Sequence, residues 1–433
     1  MTPVETPLRR LLGSVDMARA YTLAALTTAF GSFLIVHLTS RTTFATIVLL
    51  MSILGMAILV VRRAELSALR FAPSSLLIFL ALALISVFWS TDRSGTLAGW
   101  AWMLGFALMA ITIGHVRDTL QTVRAIGDTL RTLLALSLGV EILSGILIDM
   151  PILFLSVEGN IALGGPVQGV FGTRNMMGFV AVIALITFVI EWRTRSVAAP
   201  LAIPSIAVAA FLALLSASPT VLVLAAAVGT ATGALTIVRH TPARRRGLVQ
   251  WLLGGLVTAA LAVAFFFRHQ IIAWMDAGSD FSTRADLWNT ILDFVAINPF
   301  QGWGWFGVWA RGEYPFTYIN YLLADRHETA LNAYFDVLLQ LGIAGLLLFL
   351  VLGGVALVRS WLVASVRRSV VYAWTPLVLV TLAVDSMFES FTIAGAGWLL
   401  LVLCALRAGQ SRSWREDIDA AQTGTISTLP PQE

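Results

Sequence analysis

Apolar runs of about twenty residues, separated by short arginine-bearing connections, recur along this chain from Ala20 to Leu406. Runs long enough to cross roughly 30 Å of hydrocarbon predict about twelve helices. Their spans are Ala20 to Val36, Thr43 to Val61, Ser74 to Trp89, Leu97 to Ile113, Leu130 to Ile148 and Met176 to Ile190, followed by Leu201 to Leu215, Thr220 to Val238, Trp251 to Phe267, Leu331 to Val358, Val371 to Glu389 and Ile393 to Leu406. Two interruptions stand out. Residues 150–175 are rich in glycine and able to turn back into the bundle, and residues 268–330 form a long polar segment before the tenth run. Loops of that length usually carry function. Within it, 281–297 has helical periodicity, with Phe281, Leu287, Trp288, Ile291, Leu292 and Val295 on one face. Such a helix is expected at a membrane interface, anchored by Trp288 and Trp303. A second surface helix is expected over Arg117 to Arg131, where Arg117, Arg124 and Arg131 recur at seven-residue spacing.

Composition agrees with a bilayer as solvent. The chain is 58% hydrophobic and 12% charged, against roughly 25% charged in soluble domains. The formal charge of +4 is scattered through short connections rather than gathered on one domain, which argues against nucleic-acid binding. Every basic residue other than histidine is arginine. With twelve spans, only Arg41, Arg93, Arg174, Arg268, Arg284, Arg311 and Arg326 fall outside, so the positive-inside rule predicts cytoplasmic termini and external 150–175 and 268–330 segments. The first run ends in HLTSRTT, without a small-residue cleavage site, and is expected to be an anchor rather than a cleaved signal. The organisation predicted is a cytoplasmic N-terminus (1–19), a membrane domain (20–406) and a tail (407–433) whose TGTISTLPPQE composition cannot bury a core.

The single Cys404 allows neither an internal disulfide nor a cysteine metal site. No external carboxylates form an Asp-x-Asp pair, HETAL at His327 is not HExxH, and GWGWFG at Gly302 follows no strand of a βαβ unit. Metal, zinc-protease and dinucleotide chemistries are therefore not expected, and no cofactor is called for. Arginines on the outer side pair bidentately with phosphate, and Arg174 and Arg284 flank segments able to face one mouth of the bundle. His327 lies in DRHETALN, where the Asp325 to Glu328 spacing suggests a capping box and would place the imidazole in the first helical turn, kept neutral by the helix dipole. Glu328, Asn332, Asp336 and Gln340 recur every fourth residue, a polar stripe entering the membrane that either faces a cavity or hydrogen-bonds between helices.

Six segments carry a resemblance: FWSTDRSGTL at Phe88, GVFGTRNMMGF at Gly169, SASPT at Ser216, STRADLWNTILDFVAINPFQGWGWF at Ser282, NAYFDVLLQLGIAGLLLFL at Asn332 and FES at Phe388. Their order resembles that of the O-antigen ligase and O-antigen polymerase superfamily of bacterial envelope polysaccharide assembly. The resemblance implies an all-α, GT-C-like bundle in the bacterial cytoplasmic membrane. The implied reaction is metal-independent transfer from a glycan on undecaprenyl pyrophosphate to a sugar hydroxyl of a glycan acceptor, within membrane lipids. By the same resemblance, Arg174 and Arg284 bind pyrophosphate with Arg311 and Arg326 as auxiliary contacts, His327 is the base, and Trp288, Glu328, Asn332 and Glu389 support the site. The chain departs from the family at Leu331, where the histidine preceding Asn332 is expected, and at Pro219, where a basic residue is common. His327, one helical turn before Leu331, is the expected replacement. A flippase or exporter of lipid-linked glycans is the alternative, using the same arginines without catalysis.

Overall fold

The computed structural model describes residues 7–63, 71–267 and 278–410. Among them there is no strand, only an isolated bridge between Ile152 and Val157. The helices run in order as α1 (Pro7–Gly13), α2 (Val15–Phe30), α3 (Ser32–Leu38), α4 (Arg41–Val61), α5 (Ser74–Ile85), α6 (Arg93–Val116), α7 (Thr119–Ile142) and α8 (Arg174–Arg193). They continue as α9 (Ala199–Leu215), α10 (Pro219–His240), α11 (Ala243–Phe266), α12 (Gly278–Ile297), α13 (Phe316–Leu323), α14 (Ala333–Val366), α15 (Trp374–Asp385) and α16 (Gly395–Gln410). Their starts carry the expected chemistry: Ser40 accepts from Thr43 N, Thr173 from Met176 N, and Asp118 forms a reciprocal capping box with Gln121. Each such cap satisfies a backbone donor that the first turn leaves unpaired.

Among the described residues, six helices are long and apolar enough to cross a membrane: α4, α6, α7 with its continuation to Ile148, α8, α10 and α14. A seventh is formed if α2 and α3, bent by 77° at Gly31, count as one span. Shorter apolar helices lie at Ser74–Phe88, Ala199–Leu215, Val370–Asp385 and Gly395–Gln410. The first apolar run is thus broken rather than straight, and α16 extends beyond Leu406 to Gln410. The predicted tail from 411 onward and the loop's first residues, 268–277, lie outside the described residues.

The surface helix expected over Arg117 to Arg131 does not exist as a separate element, because α7 runs unbroken through this segment into the bundle. Arg124 stays exposed, whereas Arg131 turns inward to Glu191 of α8, Ser205 of α9 and Asp128. Two contacts set direction: Glu191, near the end of α8, meets the middle of α7, and Glu141, near the end of α7, meets Gln168 and Gly169 just before α8, so the two helices are antiparallel. α8 is the most enclosed of the long helices and packs against α7, α9, α10 and α15. The segment 150–175 folds back on α7, with Glu141 Oε1 accepting from the N–H groups of Gln168 and Gly169 at 2.9 and 2.8 Å.

The long loop packs as a second, smaller apolar cluster, in which Leu287, Ile291, Phe294 and Val295 of α12 meet Phe306, Trp309, Phe316 and Ile319. Leu292, expected on the buried face of α12, is exposed instead. Its position falls off the stripe that Leu287, Ile291, Phe294 and Val295 define. The loop is locked to the bundle by a break in α14. Gly342 leaves helical geometry (φ 65°, ψ −166°), and the freed backbone groups of α14 pair with the segment Pro299 to Gly304. Trp303 N donates to Leu339 O and Gly304 N to Gln340 O, at 3.1 and 2.8 Å, while Ile343 N donates to Pro299 O at 2.8 Å. Irregular backbone survives within a span only where such partners satisfy it. Both chains approach too closely for side chains: a Cβ on Gly302 would stand 2.5 Å from the Gln340 carbonyl, and one on Gly342 would stand 2.4 Å from that of Phe300.

Candidate functional site

Arg284 sits in the second turn of α12, its side chain 16% exposed. One guanidinium nitrogen donates to the carbonyls of Phe388 and Leu331, and the other donates to Glu389 Oε1 at 3.0 Å. Glu389, 7% exposed, follows α15 in the turn Phe388 to Ser390. Its Oε1 also accepts from Asn175 Nδ2 at 2.6 Å, and Asn175 Oδ1 in turn accepts from Ser218 Oγ at 2.7 Å. Ser218 precedes α10 and shares a hydrogen bond with Thr220 at 2.6 Å. The first turn of α8, the residue before α10, the second turn of α12, the residue before Asn332 and the turn after α15 therefore meet around one carboxylate.

Each element has a local reason to present its group there. Thr173 starts α8, so Asn175 lies on its first turn beside half-buried Arg174. Pro219 at the first position starts α10 and leaves Ser218 as its cap residue. Asn332 caps α14 by accepting from Tyr334 N and Phe335 N at 3.0 and 3.2 Å, and its Nδ2 donates to Met387 O at 3.0 Å. Leu331 adopts a left-handed backbone (φ 49°) just before that cap, which turns its carbonyl toward Arg284. A position whose carbonyl is engaged this way contributes backbone to the cluster, although a histidine was expected in its place.

His327 is not in a helix. The Asp325 to Glu328 capping box is absent because Asn332 takes the cap and α14 begins at Ala333. The loop holds His327 by its backbone instead, with His327 N donating to Asn320 Oδ1 at 3.0 Å and Asn320 Nδ2 donating to His327 O at 2.9 Å. The ring is 8% exposed, its Nε2 is enclosed without a hydrogen bond, and Asp325 lies 3.5 Å away. Burial pushes the imidazole pKa below its ordinary value; Asp325 raises it and Arg284 lowers it further. Burial, rather than a helix dipole, keeps this imidazole neutral.

The other expected residues separate into structural roles. Arg311 is 78% exposed and pairs with Glu328 at 2.6 Å. Arg326 is exposed, and its N–H donates to Asp325 Oδ1. Neither arginine hydrogen-bonds to Arg284, Glu389 or Asn175. Trp288 packs against the loop and the start of α14, donating to Ala330 O at 2.9 Å and stacking on Phe335 at 5.5 Å. Trp303 likewise donates inward, to Phe294 O at 3.1 Å.

The polar stripe is not continuous, because Glu328 precedes the helix. Its inner members brace the loop. Asp336 accepts from Trp309 Nε1 at 2.6 Å and Ala330 N at 2.9 Å and also from Ser390, while Gln340 accepts from Phe306 N and Gly307 N and donates to Gly307 O. Asp336 and Gln340 thus bond from helix to loop rather than from helix to helix. Asn175, Ser218, Ser390 and Asn320 were not singled out from sequence. Asn175 and Ser218 did stand inside segments already quoted, where neighbouring Arg174 and Pro219 drew the attention. Among the described residues, no three His, Cys, Asp or Glu side chains converge where they could hold a metal ion.

Comparison with protein-family models and with curated proteins finds no match to this chain.

Proposed function

We propose that this chain is a multi-pass glycosyltransferase of the bacterial cytoplasmic membrane, with about twelve spans, both termini cytoplasmic and the 268–330 segment on the outer face. Its substrates are a glycan on undecaprenyl pyrophosphate and a sugar hydroxyl of a second glycan, as in the O-antigen ligase and polymerase superfamily that its motifs resemble. One observation carries this reading: GTRN, SASPT, STRAD and FES, far apart in sequence, converge on the Glu389 carboxylate and the Arg284 guanidinium, which also engages the carbonyl of Leu331 in the loop that buries His327. A transferase that uses no nucleotide needs these elements, an oriented cation for the leaving pyrophosphate and a proton acceptor.

In the proposed reaction the acceptor hydroxyl gives its proton to His327 Nε2 as its oxygen bonds to the anomeric carbon. The bond from that carbon to pyrophosphate breaks, and its electron pair leaves with the phosphate oxygen. Arg284 and Arg174 stabilise the charge that develops there; Phe388, Leu331 and Glu389 hold the Arg284 guanidinium in place, and the N–H groups they leave unengaged are the ones offered to the phosphate. Arg311 and Arg326, at the loop surface, are left to the encounter with the donor. Transfer from a defined undecaprenyl-pyrophosphate glycan to a glycan acceptor in proteoliposomes tests the proposal. Product formed by the wild type and lost in Arg284→Ala supports it. Movement of the donor between leaflets without any product would replace it with a flippase.

A further inference from the structure

A second cationic cluster lies at the opposite end of the bundle. The starts of α2 and α7 enclose a cavity of about 320 Å³ lined by Arg19, Arg117 and Arg124, with Asp16 and Asp128 as the acidic members. Asp128 is already engaged by Arg131 at 2.7 Å. The position of Arg117 is fixed from behind, because Arg407 donates to its backbone carbonyl at 2.6 Å. Its Nε is enclosed with no hydrogen-bond partner. Asp118, next to Arg117 in sequence, favours its charge, and Arg19 opposes it more weakly. Three guanidiniums line the cavity against two carboxylates, one of them already taken by Arg131, and an enclosed unsatisfied Arg117 donor completes a set complementary to an anion that accepts from several N–H groups at once. The α7 residues that line the cavity end at Asp128, 14 residues before Ile142 (142 − 128), so at 1.5 Å per residue about 21 Å of helix separates it from the end of α7 that lies toward the start of antiparallel α8. The two clusters cannot share one ligand headgroup. Val15 and Leu23 complete the wall and lead onto the apolar run of α2, where the non-polar part of a lipid can follow.

We propose that the cavity between Arg19, Arg117 and Arg124 is a phosphate-binding site, taking the phosphate of an anionic phospholipid headgroup or inorganic phosphate. The inference is independent of the glycosyl-transfer reading.

Binding to the detergent-purified full chain is measured by native mass spectrometry and thermal melting with phosphatidylglycerol, phosphatidylcholine and inorganic phosphate as separate probes. Preferential retention of phosphatidylglycerol identifies the lipid source, and stabilisation by inorganic phosphate alone identifies the free anion. Arg19 and Arg124 are exposed and outside the apolar core, so Arg19→Gln/Arg124→Gln should fold normally. It should weaken binding of the retained probe on the order of five-fold per arginine. Arg244→Gln/Arg245→Gln removes the same charge from the exposed start of α11 and should leave binding unchanged. No retention of either phosphate probe by the wild type, undiminished retention in the Arg19/Arg124 variant, or an equal loss in the Arg244/Arg245 control would each overturn the assignment.

Discussion

Asn175 and Arg284, on helices α8 and α12, donate to the same oxygen of Glu389, at 2.6 and 3.0 Å. A carboxylate this enclosed is stable as an anion only because both donors meet it, and the arginine is tolerated there only because the carboxylate answers its charge. The start of α12 is therefore tied to the membrane bundle through this ion pair, as the segment Pro299 to Gly304 is tied to it by backbone pairing across Gly342. Removing either partner strands the other.

Glu389→Ala should consequently destabilise the folded protein by about 3 kcal/mol, the low end for breaking a buried pair. Thermal melting in a fixed detergent is the measurement. Arg284→Met/Glu389→Leu should recover much of the lost melting temperature because no uncompensated charge is left, yet transfer activity should stay absent. A double variant no more stable than Glu389→Ala would show that the pair does not couple the two elements.

Charge alone should not suffice at Arg284. Arg284→Lys keeps the cation but loses the planar fork that reaches the Phe388 and Leu331 carbonyls and Glu389 together. Donor-dependent transfer should fall at least about ten-fold, equivalent to roughly 1.4 kcal/mol of transition-state stabilisation, while folding is retained. Initial rates at saturating acceptor test this, and wild-type rates in the lysine variant would remove Arg284 from pyrophosphate contact.

Much of this architecture was legible as pattern, because apolar runs and caps are local properties. Asp118 with Gln121, Ser40 with Thr43 and Thr173 with Met176 are each written within four residues. Departures came where a partner distant in sequence decided the outcome. The seven-residue spacing of Arg117, Arg124 and Arg131 imitates a surface helix, but Arg131 is drawn inward by Glu191, sixty residues away. Asp325 and Glu328 imitate a capping box, but Asn332 commits the helix start to Ala333 and Glu328 pairs with Arg311. Trp288 and Trp303 have the composition of a membrane belt, although backbone carbonyls of Ala330 and Phe294 claim both indoles. At the site itself, sequence pointed to charged residues such as Glu389 and Arg284 and passed over neutral Asn175, which links the Glu389 carboxylate to Ser218.

The break in α14 gives a prediction about packing. Gly342→Ala places a Cβ against the Phe300 backbone at a positive φ, so either the loop segment or the helix must shift. A loss of about 2 kcal/mol in stability, and weaker protection of the 299–304 amides in hydrogen exchange, is expected. Gly353→Ala, in open space one helical stretch later, should be neutral or slightly stabilising. Equal behaviour of the two would mean that the backbone pairing across Gly342 is not rigid.

The topology can be tested with little background, because the only cysteine, Cys404, is buried. Single cysteines at Gly312 and Ala420 should react with a membrane-impermeant thiol reagent from opposite sides of intact cells or oriented vesicles. Labelling of both from one side would refute the three spans expected between the 268–330 segment and the tail, on which the outer placement of Arg284 and His327 depends.

The pH dependence of His327 follows from its burial. Its pKa is lowered in the folded protein, chiefly by desolvation and secondarily by Arg284, against the opposing effect of Asp325. Above the ordinary value of about 6.5 the imidazole is neutral in both folded and unfolded chains and has no effect on their balance. Below it the unfolded chain binds a proton that the folded chain resists, so stability contributed by this group falls as pH drops from about 6.5 toward the depressed folded value. His327→Gln should therefore flatten the melting-temperature profile in that acidic window and leave it unchanged at pH 8. The same lowered pKa keeps the base competent at neutral pH, and transfer should decline only as acid protonates it. Loss of the base should slow transfer by about 10² to 10⁴ while donor binding survives. If His327→Gln keeps both the wild-type rate and its acid limb, the proton goes elsewhere, and exposed Glu328 becomes the residue to replace next.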